Sequence, residues 1–245
     1  MAMSNTGLHI KLADCAVTVK SAREIGFVYA GLKDIVMNCR VRPREHLHAQ
    51  DFADRLKVSV TPVREAFIKL HTEGFIALVP NQGFYSKALD LKEQIALHEF
   101  AFLIMMDAVR RETGGFPAPA TNSAIAVDID CHASPLLDPT SHLSEHALCI
   151  ERLFQQIAAL SGNPEMIKFT MSFCDRTHYI RVLELEDPAN VDAAAQAIRS
   201  LAGLVQARDV KRTTNHLNKL FENTLSHMAA LVKEGNSRAL AADFP

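Results

Sequence analysis

The chain has 245 residues, 48% apolar and 22% charged, with a formal net charge of −2. That is an ordinary soluble mixture, long enough for one large or two modest domains with a real core. No run of about 18 apolar residues occurs, which excludes a membrane-spanning helix, and the first twenty residues lack the basic stretch and apolar block of a secretory signal. Aromatics are 7% and Trp is absent, which favours helix-rich packing. Five cysteines, Cys15, Cys39, Cys131, Cys149 and Cys174, are scattered without a C-x-x-C pair. They read as reduced thiols in a cytoplasmic protein. Charge is uneven. Residues 20–88 carry 11 Lys and Arg against 7 Asp and Glu, while the rest carries 15 against 21. A mildly basic N-terminal third on an acidic remainder fits a nucleic-acid reader attached to something else.

Taken in chain order, residues 1–20 show no clear period and read as a flexible lead-in. From Ile25 to Met37, apolar residues at steps of three and four predict a helix. Pro43 in "RVRPREHL" marks a break. "AQDFADRL" is a short helix with Phe52, Ala53 and Leu56 on one side, and "KVSV" is a tight turn. The next helix has Ser59 or Thr61 as a cap, Pro62 in its first turn and Glu65 near its start. It runs to about Thr72, with Val63, Ala66, Phe67 and Leu70 inward, and Gly74 ends it. "FIALVP-NQG-FYSKAL" reads as two short strands around a Pro-Asn-Gln-Gly turn. Helix, short helix, turn, helix and hairpin make a winged helix-turn-helix over residues 21–89, whose second paired helix enters the DNA major groove.

Residues 90–245 read as all helix. "LKEQIALHEFAFLIMMDAVRR" is broken at Gly114–Pro119. "SHLSEHALCIERLFQQIAAL" ends at Ser161-Gly162-Asn163-Pro164, and "EMIKFTMSFCDRTHYIRVLEL" stops before Asp187-Pro188. "VDAAAQAIRSLAGLVQAR" and a last helix ending at Gly235 follow. The fold class is mostly α: the winged head followed by an antiparallel all-α bundle.

The stretch "LHAQDFADRLKVSVTPVREAFIKLHTEGFIALVPNQGFY" resembles the DNA-binding head of GntR-family transcription regulators. The family pattern Val-Ser-Arg-Thr-Pro-Val-Arg-Glu-Ala-Leu is matched by Val58 to Phe67. Glu73-Gly74-Phe75 and Pro80-Asn81-Gln82-Gly83 follow it. The helical remainder, with "LFQQIAALSGNPEM", resembles the effector-binding and dimerisation domain of the FadR-type branch. The resemblance implies a sequence-specific regulator, a dimeric repressor of operator DNA tuned by a small molecule, with no membrane role. Its DNA-contacting positions are Gln50, Lys57, Ser59, Val60, Thr61, Pro62, Arg64, Asn81, Gln82 and Gly83. The physics agrees. Arg64 lies off the apolar face, where an arginine bridges guanine O6 and N7 or holds a phosphate. Ser59, Thr61 and the helix N-terminus offer donors to phosphates, and Gly83 lets the wing backbone approach a groove. Two departures stand out: the family's arginines after the serine and in the wing are Val60 and Gln82 here.

Many members of this branch hold a divalent metal on an Asp-x-x-x-His and two later histidines. Counted from Ser161-Gly162-Asn163, the first pair falls on Ile150 and Phe154, or one residue along on Glu151 and Gln155. The later two fall near Ile198 and Leu220. No cofactor is therefore expected, with a displaced metal site on His146, His178 and His216 as the alternative. An apolar lining of Ile150, Phe154, Ile198 and Leu220 suits a carboxylate or acyl effector. His178 and Arg181 share a helix face that Arg181 would use to hold a carboxylate. Arg176 and His216 complete the candidate effector residues. Two other functions stay open: a constitutive DNA binder without effector, and a metal-dependent helical enzyme whose best support is "HLSEH", His142 to His146.

Overall fold

The computed structural model describes residues 12–113 and 139–241. The chain forms two compact units, residues 1–36 with 44–87, and residues 37–43 with 88–245. The break expected at Gly114–Pro119 lies outside the described residues, as does His132.

In the first unit, α1 (Leu12–Met37) is longer than the periodicity from Ile25 implies and takes in part of the expected lead-in. It buries Val28 and Leu32. The Tyr29 hydroxyl donates to Glu73 Oε2 at 2.5 Å, and the Lys69 ammonium sits 3.7 Å from the Tyr29 ring centroid. These contacts tie α1 to the end of α3. Burial, helped by the Glu73 bond, pushes the Tyr29 hydroxyl up to about 12. Helices α2 (Ala49–Leu56) and α3 (Val60–Thr72) are joined at Lys57, which takes the left-handed conformation with φ 55°. Val58 N–H returns to Ala53 O at 3.0 Å, closing the turn. Ser59 occupies the N-cap position of α3, but its side chain makes no capping bond. Edge-to-face packing of Phe52 on Phe67, at 5.4 Å between centroids, joins the two helices.

Strands β1 (Ile76–Val79) and β2 (Gly83–Ser86) pair antiparallel as the wing. Residues 44–47 add a third edge, unforeseen from sequence. Leu47 N–H donates to Phe84 O at 2.8 Å, and Ser86 N–H to Glu45 O at 3.0 Å. Gly83 has φ 100°, and a Cβ there would lie 2.8 Å from His46 Nε2. The glycine is thus required by the fold of the wing itself.

In the second unit, α4 (Leu91–Thr113), α5 (Pro139–Ala159), α6 (Pro164–Glu184), α7 (Pro188–Gln206) and α8 (Val210–Ala241) share one apolar core. Met105 of α4, Leu153 and Ile157 of α5, Phe173 of α6, Leu201 of α7 and Leu217 of α8 are buried there. The α5–α6 corner explains "SGNP" physically. Gly162 takes φ 63°, Asn163 Oδ1 accepts from Glu165 N–H at 3.0 Å, and Pro164 fills the first turn. The last helix does not stop at Gly235. That glycine is buried against Leu89, and a Cβ would lie 2.6 Å from a Leu89 methyl. It is a close-packing residue inside α8. The reading of five reduced cysteines also changes. Cys149 is disulfide-bonded, while Cys39 and Cys174 are free.

Candidate functional site

The head presents most of the expected DNA-contacting side chains to solvent. Gln50, Lys57, Ser59, Thr61, Arg64, Asn81 and Gln82 are exposed, and Val60 is half-buried. Pro62 is buried with Val63 in the packed face of α3. Gly83 is half-buried against His46, as above, so its role is to shape the wing. Gln50 Nε2 donates to Asp54 Oδ1 at 2.8 Å, fixing both on α2. Asn81 takes φ 62° at the tip of the wing, a conformation asparagine tolerates. Among the described residues no carboxylate is paired with Arg64, so its guanidinium is available to an outside acceptor. The sequence reading missed Ile68. It lies one turn after Arg64 and is 55% exposed, an unusual place for a large aliphatic side chain. Its spacing of four from Arg64 was the available signal.

The helical unit contains a cavity of about 280 Å³. Ile150, Phe154, Ile198 and Leu220, on three different helices, all line it. Arg181 and His216 line it too, so six of the eight candidate effector residues come together. Arg176 and His178 do not line it. Arg176 instead pairs with Glu93 of α4. His178 is buried, with Nδ1 2.8 Å from Glu151 Oε1.

Glu151 changes the role expected of Arg181. Its carboxylate is 3% exposed on α5 and meets Arg181 Nε at 3.0 Å and Nη2 at 2.9 Å. Arg181 Nη1 donates to Thr177 Oγ1 at 2.7 Å, and Nη2 also donates to the Cys174 carbonyl. The guanidinium therefore borders the cavity with four of its five N–H groups engaged and its charge balanced. Burial alone would raise the Glu151 pKa, but Arg181 and His178 outweigh it and hold the carboxyl below its ordinary value. Spacing alone could not reveal this, because the partner of α6 stands on α5.

Two further lining residues were not foreseen. His98 of α4 is 3% exposed and its Nδ1 lies 2.7 Å from Gln94 O. A carbonyl accepts only, so Nδ1 carries the proton and Nε2 is an acceptor. Burial pushes its pKa down to about 4, despite the Gln94 bond, so the ring is neutral near pH 7. Glu184, near the end of α6, is the only carboxylate among the lining residues. Burial raises its pKa, against the lowering influence of His227, Thr224 and Arg181.

The divalent metal implied by the family resemblance does not fit these residues. Ile150, Phe154, Ile198 and Leu220 carry hydrocarbon side chains, which have no donor atom, and one residue along Glu151 is taken up by His178 and Arg181. Among the described residues no group of three or more His, Cys, Asp and Glu could hold a metal ion. His146, His178 and His216 do not form a set. His178 is engaged by Glu151, His216 Nε2 lies 2.9 Å from Ala197 O, and His146 is half-buried elsewhere on α5. The His142 side chain lies outside the described residues.

A winged helix-turn-helix whose second paired helix carries, early on, an arginine with no carboxylate partner among the described residues defines a DNA-binding regulatory protein. Comparison with known proteins agrees. The family described as "Bacterial regulatory proteins, gntR family" matches residues 25–85. The Nta operon transcriptional regulator of Aminobacter aminovorans is 31% identical over 145 residues, 58% of this chain and 66% of that protein. The HTH-type transcriptional repressor RspR of Escherichia coli K12 is 33% identical over 66 residues, 27% of this chain and 29% of that protein. This chain thus spans just under two thirds of the first relative and under a third of the second. Among solved structures, Lar, said to control expression of the Listeria monocytogenes agr system, superposes with a TM-score of 0.60. The two are 14% identical, with 84% of this chain and 97% of Lar covered, so that likeness speaks to fold. Residues 25–85 are thus similar to the DNA-binding head of the gntR family.

Proposed function

We propose that this protein is a dimeric, cytoplasmic transcription repressor of the FadR-type branch. It reads a short operator palindrome with α3 and the wing and releases it when a small molecule fills the cavity of the helical unit. Two half-sites about one helical turn apart suit such a dimer. The observation that carries the reading is Arg64, exposed on α3 beside Thr61 and with no carboxylate partner among the described residues. A relative named as a repressor supports repression over activation. The cavity favours an effector-responsive regulator over a constitutive binder, because a filled core would leave no space of about 280 Å³. The hydrocarbon side chains at the ligand positions favour an effector site that works without metal, and regulation over metal-dependent catalysis.

The test is a mobility-shift titration of the purified chain on DNA from upstream of its own gene, with excess random-sequence competitor. The expected result is a retarded complex that survives competitor and protects a two-fold symmetric site. Binding no tighter than to random DNA would refute the proposal.

A further inference from the structure

The cavity's polar atoms have a direction. Apart from one Nη1–H of Arg181 and the exposed Asn190, Lys219 and Asn223, the lining groups with hydrogen-bonding capacity left over are acceptors. Glu184 Oε1 takes only a long 3.4 Å bond from Thr224 Oγ1, and its other oxygen has no hydrogen-bond partner among the described residues. His98 gives its N–H to Gln94 O, which leaves Nε2 as an acceptor. His216 gives an N–H to Ala197 O, which leaves Nδ1 in the same condition. The buried cation, Arg181, has its charge answered by Glu151. The remaining cation of the lining, Lys219, is exposed on α8, where water screens it. Around these acceptors lie Ile150, Phe154, Ile198 and Leu220. Away from those exposed donors, an incoming carboxylate would meet acceptors and hydrocarbon. An ammonium group would meet one carboxylate and two imidazole nitrogens.

We infer that the effector of this cavity is a small, largely apolar compound bearing a protonated amine, held by the Glu184 carboxylate with its hydrocarbon body against Ile150, Phe154, Ile198 and Leu220. The inference rests on the effector-cavity reading above. It replaces the carboxylate or acyl ligand expected from sequence, because the arginine that would hold a carboxylate is engaged by Glu151. The volume sits at the low end for ligand pockets, which favours a ligand of a single ring or a short chain.

The experiment is isothermal titration of the full chain with three probes of one shape: 2-phenylethylamine, 3-phenylpropionate and 2-phenylethanol. The amine is expected to bind, and the carboxylate to bind at least about tenfold more weakly. Glu184→Gln is expected to weaken the amine about tenfold or more while leaving the alcohol unchanged. Ala194→Phe, which narrows the cavity without altering charge, is expected to abolish all binding. Should Glu184→Gln fail to fold, the wild type serves. Amine affinity must fall as the pH is lowered and Glu184 takes a proton, with Arg181, His227, His98, His216 and Lys219 as the other titratable groups facing it. The alcohol's affinity must change less. Carboxylate or alcohol binding without amine binding would overturn the amine inference alone. If no probe binds, the cavity reading and the inference fall together.

Discussion

The head and the helical unit deploy their polar side chains in opposite ways. In the head, Arg64, Thr61, Lys57 and Gln82 stand in solvent, and no described carboxylate takes up Arg64. In the helical unit, Glu151, His178 and Arg181 are each under 5% exposed, and Glu151 bonds both of the others. The first arrangement suits recognition of an outside partner. The second fixes the helices around a cavity and leaves acceptors, Glu184 and His98 Nε2 among them, for a guest. A charged residue's role thus depends on whether the fold has already given it a partner.

The strongest way to break that contrast is to remove the partner. Glu151→Ala strands Arg181 without its counter-charge and should destabilise the helical unit by about 3–5 kcal/mol. Chemical denaturation monitored by circular dichroism would show it. A loss under about 1 kcal/mol would mean that the buried network matters no more than a surface ion pair.

Acid should act on the same unit with a smaller effect. His98 has a folded pKa pushed down from 6.5 to about 4, so the unfolded chain binds its proton first. That contribution is complete above pH 6.5 and is lost as the pH falls from there towards 4, on the order of 2 kcal/mol between pH 7 and pH 5. Glu151, whose folded pKa is depressed, adds a further loss below its ordinary value of 4.5. Glu184, raised by burial, acts with the opposite sign. The comparison is therefore with His98→Phe, whose melting temperature should fall less between pH 7 and pH 5. Equal slopes would remove His98 from the account.

The smallest effect belongs to the head. Val60→Arg restores a cation at the first position of α3 and should steepen the log–log salt dependence of DNA binding by about one unit per half-site. An unchanged slope would place residue 60 away from phosphate.

The head was the more legible region, for a physical reason. Its motif is local: the left-handed Lys57, the cap position Ser59, the inward Val63 and Phe67 and the wing turn all lie within a few residues of one another. What it hid was tertiary. The edge formed by residues 44–47 comes from outside the hairpin, and Ile68 looks like core until its exposure is known. In the helical unit the helices themselves were readable from their periods and breaks. Gly235 misled because a glycine marks a close approach as readily as a helix end. The cavity's hydrocarbon lining followed from counting along a family pattern. The Glu151 pairing did not, because α5 and α6 meet only in the fold and no spacing within one helix encodes the contact.

The central claim is that α3 reads DNA through Arg64. Fluorescence anisotropy on labelled operator, at one fixed salt concentration, would compare the wild type with Arg64→Ala, after melting curves show both equally folded. Specific binding should be lost in the variant, leaving only the weak affinity for random DNA. Equal affinity of the two proteins for the operator would contradict the assignment of α3 as the recognition helix.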